Sequence, residues 1–201
     1  SSDLGTVCAE VEDDFHHMRV AIAHDGVVAE KVKAKLLRAP WTTCPGAMAK
    51  CEQTFTQVAL KEFSARRDKA YNCTHLYDLA LLAAAHAHED AALDYAVFVT
   101  DPVDGKRHAR LSRNGELVLQ WWDRDYQIVE PAALAGMKLM DLRAWIDAQD
   151  APQREAARIL QWASLIAHGR IIPLEQQKDA SRMPPNCYTF QPEQAAQARR
   201  T

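Results

Sequence analysis

One short segment of the chain carries the residue types needed to move a proton. In Asn72-Cys73-Thr74-His75, with Asp78 three residues further on, an imidazole and a carboxylate project from neighbouring positions of one helical turn. The positive end of a helix dipole favours the neutral form of an imidazole, and a neutral imidazole can accept a proton. We therefore predict that His75 is a general base tuned by Asp78. The alternative is structural, with Asn72 or Thr74 capping the helix and His75 hydrogen-bonded in the core.

A second segment, Trp41-Thr42-Thr43-Cys44, offers hydroxyl groups, backbone amides and an aromatic ring just before Pro45. Proline suits the first position of a helix, and the amides at a helix start can bind a carboxylate, an alkoxide or a phenolate. Cys44 is also a candidate nucleophile, because a helix N-terminus lowers the pKa of a thiol. The plainer interpretation makes Thr43 or Cys44 a helix cap and Trp41 a packing residue.

The third segment is the acidic and histidine-rich run at residues 12–19. If this run is a strand, Asp14 and His16 point to one face and His17 and Arg19 to the other. Only one of these alternate sets can enter a pocket, and the other set is then solvated.

A metal site is the next alternative, because several side chains in these segments are suitable ligands. However, the chain contains no Cys-x-x-Cys, His-x-x-x-His or His-Glu-x-x-His spacing, which are the patterns that make a zinc prediction strong. We therefore predict no metal, and keep a metal-dependent hydrolase or lyase with Cys and His ligands as the alternative. The candidate ligands are His16, Cys44, Cys73, His75 and Asp78.

The length and amino-acid composition favour one ordinary globular domain over residues 1–201, with 48% hydrophobic and 25% charged residues. The net charge of −3 and the short basic clusters argue against nucleic acid as a partner. No apolar run approaches the roughly 20 residues of a membrane helix, and the first residues lack a signal-peptide pattern. Five widely spaced cysteines suit reduced thiols, so we expect a cytoplasmic protein. No phosphate loop or nucleotide motif is present, and we expect no cofactor.

The hydrophobic periodicity predicts an α+β fold, in which an antiparallel β-sheet of hairpins and a meander packs around a buried central helix at residues 71–89. Asp104-Gly105 and Asn114-Gly115 are strong hairpin turn signals within the meander. The other predicted elements are a hairpin across residues 7–36, a helix at 45–57, a fourth meander strand at 126–129 and C-terminal helices at 139–148 and 152–167.

Four stretches of the chain resemble a bacterial family long described as a domain of unknown function. They are DDFHHMR at residues 13–19, RAPWTTCPG at 38–46, NCTHLYD at 72–78 and CYTFQP at 187–192. The resemblance spans nearly the whole chain. Similar sphingomonad proteins are γ-formaldehyde lyases of lignin-dimer catabolism, which convert phenylcoumarans to stilbenes.

The resemblance implies a cofactor-independent carbon–carbon lyase that acts on a small aromatic substrate, and a homodimer is compatible with it. The reaction needs a base beside the γ-alcohol and donors beside the departing phenolic oxygen. We place His75 as the base, oriented by Asp78 or Asp14, and Trp41 against an aromatic ring. The remaining predicted substrate-binding residues are Arg19, Thr42, Thr43, Cys44, Thr74, Tyr77 and Tyr188.

This assignment requires residues 41–44 and 72–78 to line the same pocket. A non-catalytic module that binds an aromatic ligand remains a third interpretation, suggested by the aromatic residues and by the absence of a complete known catalytic triad.

Overall fold

The computed structural model describes residues 4–201, except for the side chain of Leu174. The described chain is α+β, with two antiparallel four-stranded sheets and helices, so the predicted fold class is confirmed. It divides into two compact units. Unit 1 comprises residues 4–90 together with Leu174–Thr201, and unit 2 comprises Ala91–Pro173. None of the helices at residues 4–201 has the length and apolar character that crossing a bilayer requires.

The sheet of unit 1 holds its strands in chain order. They are β1 (Gly5–Glu12), β2 (His17–His24), β3 (Val28–Arg38) and the short β4 (Val58–Ala59). Met18, Val20 and Ile22 of β2 are fully buried on the inner face. The predicted turn near residue 25 is present, but a second turn at residues 13–16 separates β1 from β2. That turn forms because the carboxylate of Asp13 accepts the backbone N–H groups of residues 15 and 16.

Two helices cover the inner face of this sheet, α1 (Gly46–Phe55) and α2 (Thr74–Ala85). The predicted central helix is therefore present and largely buried, within the predicted range but shorter. No side chain caps the N-terminus of α2. The side chain of Asn72, a predicted cap, donates instead to the carbonyl of Asp68 and lies 3.1 Å from the hydroxyl of Thr54.

The C-terminal part of unit 1 runs through 3₁₀ turns at Leu174–Gln177, Ala180–Arg182 and Tyr188–Phe190 to the short helix α5 (Pro192–Ala195). Its small residues Ala180, Ala195 and Ala198 pack with Trp41 and Cys44. The C-terminal part therefore closes over the loop before α1.

Unit 2 is an antiparallel meander covered by helices. Its strands are β5 (Tyr95–Val99), β6 (Arg107–Arg113), β7 (Glu116–Arg124) and β8 (Gln127–Glu130), followed by α3 (Arg143–Asp147) and α4 (Ala151–Ala167). Both central residues of Asp104-Gly105 and Asn114-Gly115 have positive φ, as type I′ turns require. The helix predicted at 139–148 is instead a 3₁₀ turn at Leu139–Asp141 followed by α3.

Candidate functional site

Asp13 lies at the centre of a polar cluster in unit 1. Its Oδ1 accepts the backbone N–H groups of Phe15 and His16, each at 2.8 Å. The same carboxylate reaches His16 Nδ1 at 2.9 Å and His75 Nε2 at 3.3 Å. The turn at 13–16 and the first turn of α2 therefore bring together one carboxylate and two imidazoles, which we call the Asp-His cluster (Asp13, His16 and His75).

The two imidazoles of the Asp-His cluster are stacked, with ring centroids 3.8 Å apart and ring planes 33° apart. Burial lowers the pKa of His75 to about 4, although the nearby carboxylate of Asp13 acts in the opposite direction. His75 is therefore uncharged at neutral pH. Burial favours the neutral form of Asp13, but the hydrogen bond from His16, the contact with His75 and the backbone hydrogen bonds outweigh it and hold the pKa of Asp13 well below its usual range.

The carboxylate also sets the tautomer of His16. An ionised carboxylate only accepts hydrogen bonds, so Nδ1 of His16 carries the proton that faces Asp13. In the neutral ring, Nε2 then holds the free lone pair and can accept a proton. The side chain of His16 is 12% exposed and that of His75 is 6% exposed, so His16 is the more accessible of the two.

A row of flat groups leads away from the Asp-His cluster. The ring of Phe15 lies edge-on to His16, with centroids 6.3 Å apart. The guanidinium of Arg200 lies 5.4 Å from the ring centre of Phe15 and 5.5 Å from that of Trp41. We call this series (Trp41, Arg200, Phe15, His16 and His75) the ring row. It connects the loop at 41–44 to the first turn of α2.

A second connection between these segments runs through residues 188 and 189. The backbone N–H of Tyr188 donates to the carbonyl of Asn72 at 2.9 Å. The hydroxyl of Thr189 lies 3.3 Å from the hydroxyl of Thr43 and 3.4 Å from the thiol of Cys44. The segments 41–44 and 72–78 therefore both contact residues 188–189. That the two segments line one pocket stays a prediction.

The backbone amides predicted to bind an anion before α1 already have partners. The N–H groups of Cys44, Gly46 and Ala47 donate to carbonyls of residues 41, 43 and 44. The exposed Thr42 donates its N–H to the carbonyl of Arg199, and its hydroxyl accepts the N–H of that residue at 3.0 Å. The prediction of an amide anion site was therefore wrong, because the loop folds into tight turns that use these amides.

The structure also contradicts the lowered thiol pKa predicted for Cys44. Burial raises the pKa of Cys44, and burial raises the pKa of Cys73 to about 12. Both residues are protonated thiols at neutral pH, which are poor nucleophiles and poor metal ligands.

Three other predicted site residues lie outside the Asp-His cluster. Asp14 is exposed in the turn, and the position beside the imidazoles belongs to Asp13. The strand alternation predicted for residues 12–19 fails there because residues 13–16 are not extended. Asp78 accepts hydrogen bonds from Lys69, with both oxygens 2.6 Å from Nζ. Arg19 lies on the exposed outer face of β2.

The remaining predicted residues surround α1 and α2. Thr74 is the half-buried first residue of α2. Tyr77 packs against Phe55, with centroids 5.0 Å apart, and its buried hydroxyl has no hydrogen-bond partner among residues 4–201. Tyr188 lies over Gly46 so closely that any side chain at position 46 would collide with its hydroxyl group.

Sequence reasoning missed Asp13, Phe15, Thr189 and Arg200 as site residues. Asp13 could have been found, because an aspartate side chain commonly accepts a backbone N–H two residues further along and so forms a turn. Arg200 had no local signal, since its partners Phe15 and Trp41 lie far away in the sequence.

Unit 2 contains a different polar cluster, built on a buried ion pair. Arg107 donates to Asp123 Oδ1 at 2.7 and 3.1 Å and to the carbonyl of Ser164 at 3.2 Å. Burial and the charge of Arg107 lower the pKa of His168 to about 4, and the ring of Tyr126 stacks on this histidine.

Comparison of the chain with protein-family models, with curated proteins and with solved structures gave no match. The family resemblance of the four motifs therefore stays a prediction.

Proposed function

We propose that this protein is a cofactor-independent carbon–carbon lyase, which releases formaldehyde from the γ-alcohol of a phenylcoumaran-type aromatic and leaves a stilbene. One observation carries the proposal: two stacked imidazoles contact one half-buried carboxylate at the end of the ring row. This arrangement supplies an imidazole base with a fixed tautomer beside flat groups that suit an aromatic substrate.

The proposed reaction balances without a redox partner. The base accepts the proton of the γ-hydroxyl, the Cβ–Cγ bond breaks and formaldehyde leaves. The electron pair of that bond forms the Cα=Cβ double bond, and the bond from Cα to the aryl ether oxygen breaks. The phenoxide then takes up a proton, so the substrate yields one formaldehyde and one stilbene phenol.

His16 is the imidazole that we place against the γ-hydroxyl. Asp13 holds its Nδ1, and its Nε2 is left to accept the proton. His75, which sequence reasoning places as the base, stacks behind it and stays uncharged at neutral pH. An alcohol has a pKa far above that of imidazole, and proton transfer must therefore be concerted with carbon–carbon cleavage.

The test is to incubate the purified protein with a phenylcoumaran that bears the γ-alcohol, and to measure formaldehyde and the stilbene absorbance. We expect the two products in equal amounts. His16→Asn should lower kcat by about 10²- to 10⁴-fold, as the loss of a general base does. The control is His17→Asn, which changes the adjacent histidine, paired with Glu10 on the outside of the sheet, and should leave kcat unchanged.

The proposal fails if the wild type releases neither product. The role of the Asp-His cluster fails if His16→Asn and His75→Asn both retain the wild-type kcat.

One observation favours a second candidate, a metal-dependent lyase or hydrolase. Ligand atoms of Asp13, His16 and His75 all lie within 4.8 Å of one another, and two histidines with one carboxylate form a common site for a divalent metal. Imidazoles bind metals in the ring plane, so the stacked rings would have to rotate to share one ion. Elemental analysis of active protein decides between the candidates: stoichiometric metal that is lost in His75→Asn supports the metal, and active metal-free protein excludes it.

A further inference from the structure

Arg200 is a cation held by aromatic rings instead of by an acid. Its guanidinium lies between Phe15 and Trp41, at 5.4 and 5.5 Å from the ring centres. Among residues 4–201, no carboxylate forms an ion pair with it. Other arginines of unit 1 do have such partners, since Arg38 pairs with Glu12 and Arg66 with Asp68.

The surroundings of Arg200 make this lack of a counterion costly. The side chain is half-buried, and burial lowers its pKa, yet an arginine remains charged at neutral pH. Two ring faces compensate only part of the lost hydration of a guanidinium. A cation in this position gains most from an anion that enters from solvent.

The backbone fixes Arg200 in place. Its residue pairs with Trp41 in an antiparallel bridge. On either side, the N–H of Thr42 donates to the carbonyl of Arg199, and the N–H of Thr201 donates to the carbonyl of Pro40. The guanidinium is therefore part of a built wall of the site, one ring away from His16.

We propose that Arg200 is the anion-recognition residue of the ring row and binds a carboxylate or phenolate oxygen carried by an aromatic ligand. This inference rests on the proposed function, because it takes the ring row as the substrate site. The planar fork of the guanidinium matches the two oxygens of a carboxylate, and it also suits the single oxygen of a departing phenoxide. An aromatic ring bound beside Phe15 would then reach from Arg200 to the Asp-His cluster.

The test uses binding of non-reactive aromatic probes to the full chain, measured by calorimetry at pH 8. The probes are 4-methoxybenzoate for a carboxylate, 4-nitrophenolate for a phenolate and 4-methoxybenzamide as the uncharged control. We expect at least one anion to bind more than about 10-fold tighter than the amide, the usual order for a charge-assisted contact. The anion that shows the preference identifies which oxygen the site takes.

Variants then assign the preference to Arg200. Arg200→Gln should remove it, and Arg200→Lys, which keeps the charge but not the fork, should retain part of it. The matched control is Arg199→Gln, because the exposed side chain of Arg199 forms its one hydrogen bond among residues 4–201 with the carbonyl of Ala198 and should leave the preference intact. If Arg200→Gln does not fold, Arg200→Lys still tests the proposal. A ratio of carboxylate to phenolate affinity equal to that of the wild type would contradict a role for the planar guanidinium.

The inference is overturned if the wild type binds all three probes equally, or if Arg200→Gln keeps the wild-type preference. Its failure is distinguishable from that of the proposed function. If the protein shows an Arg200-dependent preference but releases no formaldehyde, the lyase proposal is refuted and the anion site stands. If it releases formaldehyde but shows no preference for anions, the lyase proposal stands and the anion site is refuted.

Discussion

Each unit of this molecule holds a carboxylate in a polar cluster and a histidine whose pKa is lowered to about 4. In unit 1, Asp13 faces the imidazoles of His16 and His75, and an imidazole can both donate and accept a proton. In unit 2, Asp123 faces Arg107, which stays protonated at any pH at which the protein is folded. The two clusters differ in burial and in partner: the carboxylate of unit 1 is 20% exposed and contacts imidazoles, whereas that of unit 2 is fully buried and contacts a guanidinium.

This difference shows why a lowered histidine pKa does not by itself mark a catalytic site. The pair in unit 2 connects β6 to β7 and, through the carbonyl of Ser164, to α4. It has the position of a structural ion pair between a sheet and its covering helix. The cluster in unit 1 lies at the start of a helix and in a turn, where part of it remains accessible to solvent.

The largest effect should come from breaking the pair in unit 2. Arg107→Met leaves Asp123 buried and uncompensated, and should lower the free energy of unfolding by about 3–5 kcal/mol in urea denaturation. The double variant Arg107→Met/Asp123→Leu should recover most of this loss, because no buried charge remains. A single variant as stable as the wild type would contradict the structural role.

The corresponding change in unit 1 should affect catalysis more than stability. Asp13→Asn removes the charge that orients His16 and should lower kcat by about 10²- to 10³-fold, or roughly 3–4 kcal/mol of barrier. Asp25→Asn is the matched control, because Asp25 caps the backbone N–H groups of Val27 and Val28 in the same way. Equal kcat values for the two variants would remove Asp13 from the mechanism.

Acid should destabilise the protein through His75. Its pKa is about 4 when folded and about 6.5 when unfolded, so the unfolded chain binds more protons between these values. Stability from this group is complete above about pH 6.5 and falls by up to about 3 kcal/mol as the pH approaches 4. Denaturation of His75→Asn at pH 7 and pH 4.5 should show a smaller acid loss than the wild type, and an equal loss would contradict the assigned burial effect.

The smallest effect on stability should come from changing Thr189, which lies between the segments 41–44 and 72–78 of unit 1. Thr189→Val removes the hydroxyl that contacts Thr43 and Cys44, and should cost about 1 kcal/mol in thermal unfolding. Thr189→Ser keeps the hydroxyl and should retain more of the stability. A Thr189→Val variant that is more stable than Thr189→Ser would show that these contacts contribute nothing.

The elements that could be predicted from the sequence are those set by local chemistry. The turns at Asp104-Gly105 and Asn114-Gly115 need positive φ, and the residue types reveal it. Helix α2 was recognisable because its leucines and alanines favour a helix and leave no polar face along most of its length.

The candidate site could be predicted only in part, because its parts meet through tertiary contacts. His75 was found from its helix, but the carboxylate beside it was assigned to Asp78 or Asp14 and not to Asp13. The prediction for residues 12–19 assumed one continuous strand, in which alternate side chains point to opposite faces. The turn at 13–16 interrupts that strand and changes which of its side chains point inward. The contact of Arg200 with Phe15 depends on the path of the whole C-terminal segment, which no local pattern encodes.

The division of unit 1 into two stretches of chain also affects its assembly during synthesis. Phe15, Trp41 and both imidazoles leave the ribosome with the first 90 residues, whereas residues 174–201 follow only after all of unit 2 has been made. A nascent chain at that stage carries the proton acceptor and two aromatic rings without the guanidinium between them. Recognition of an anionic ligand would therefore be the last property of the site to arise.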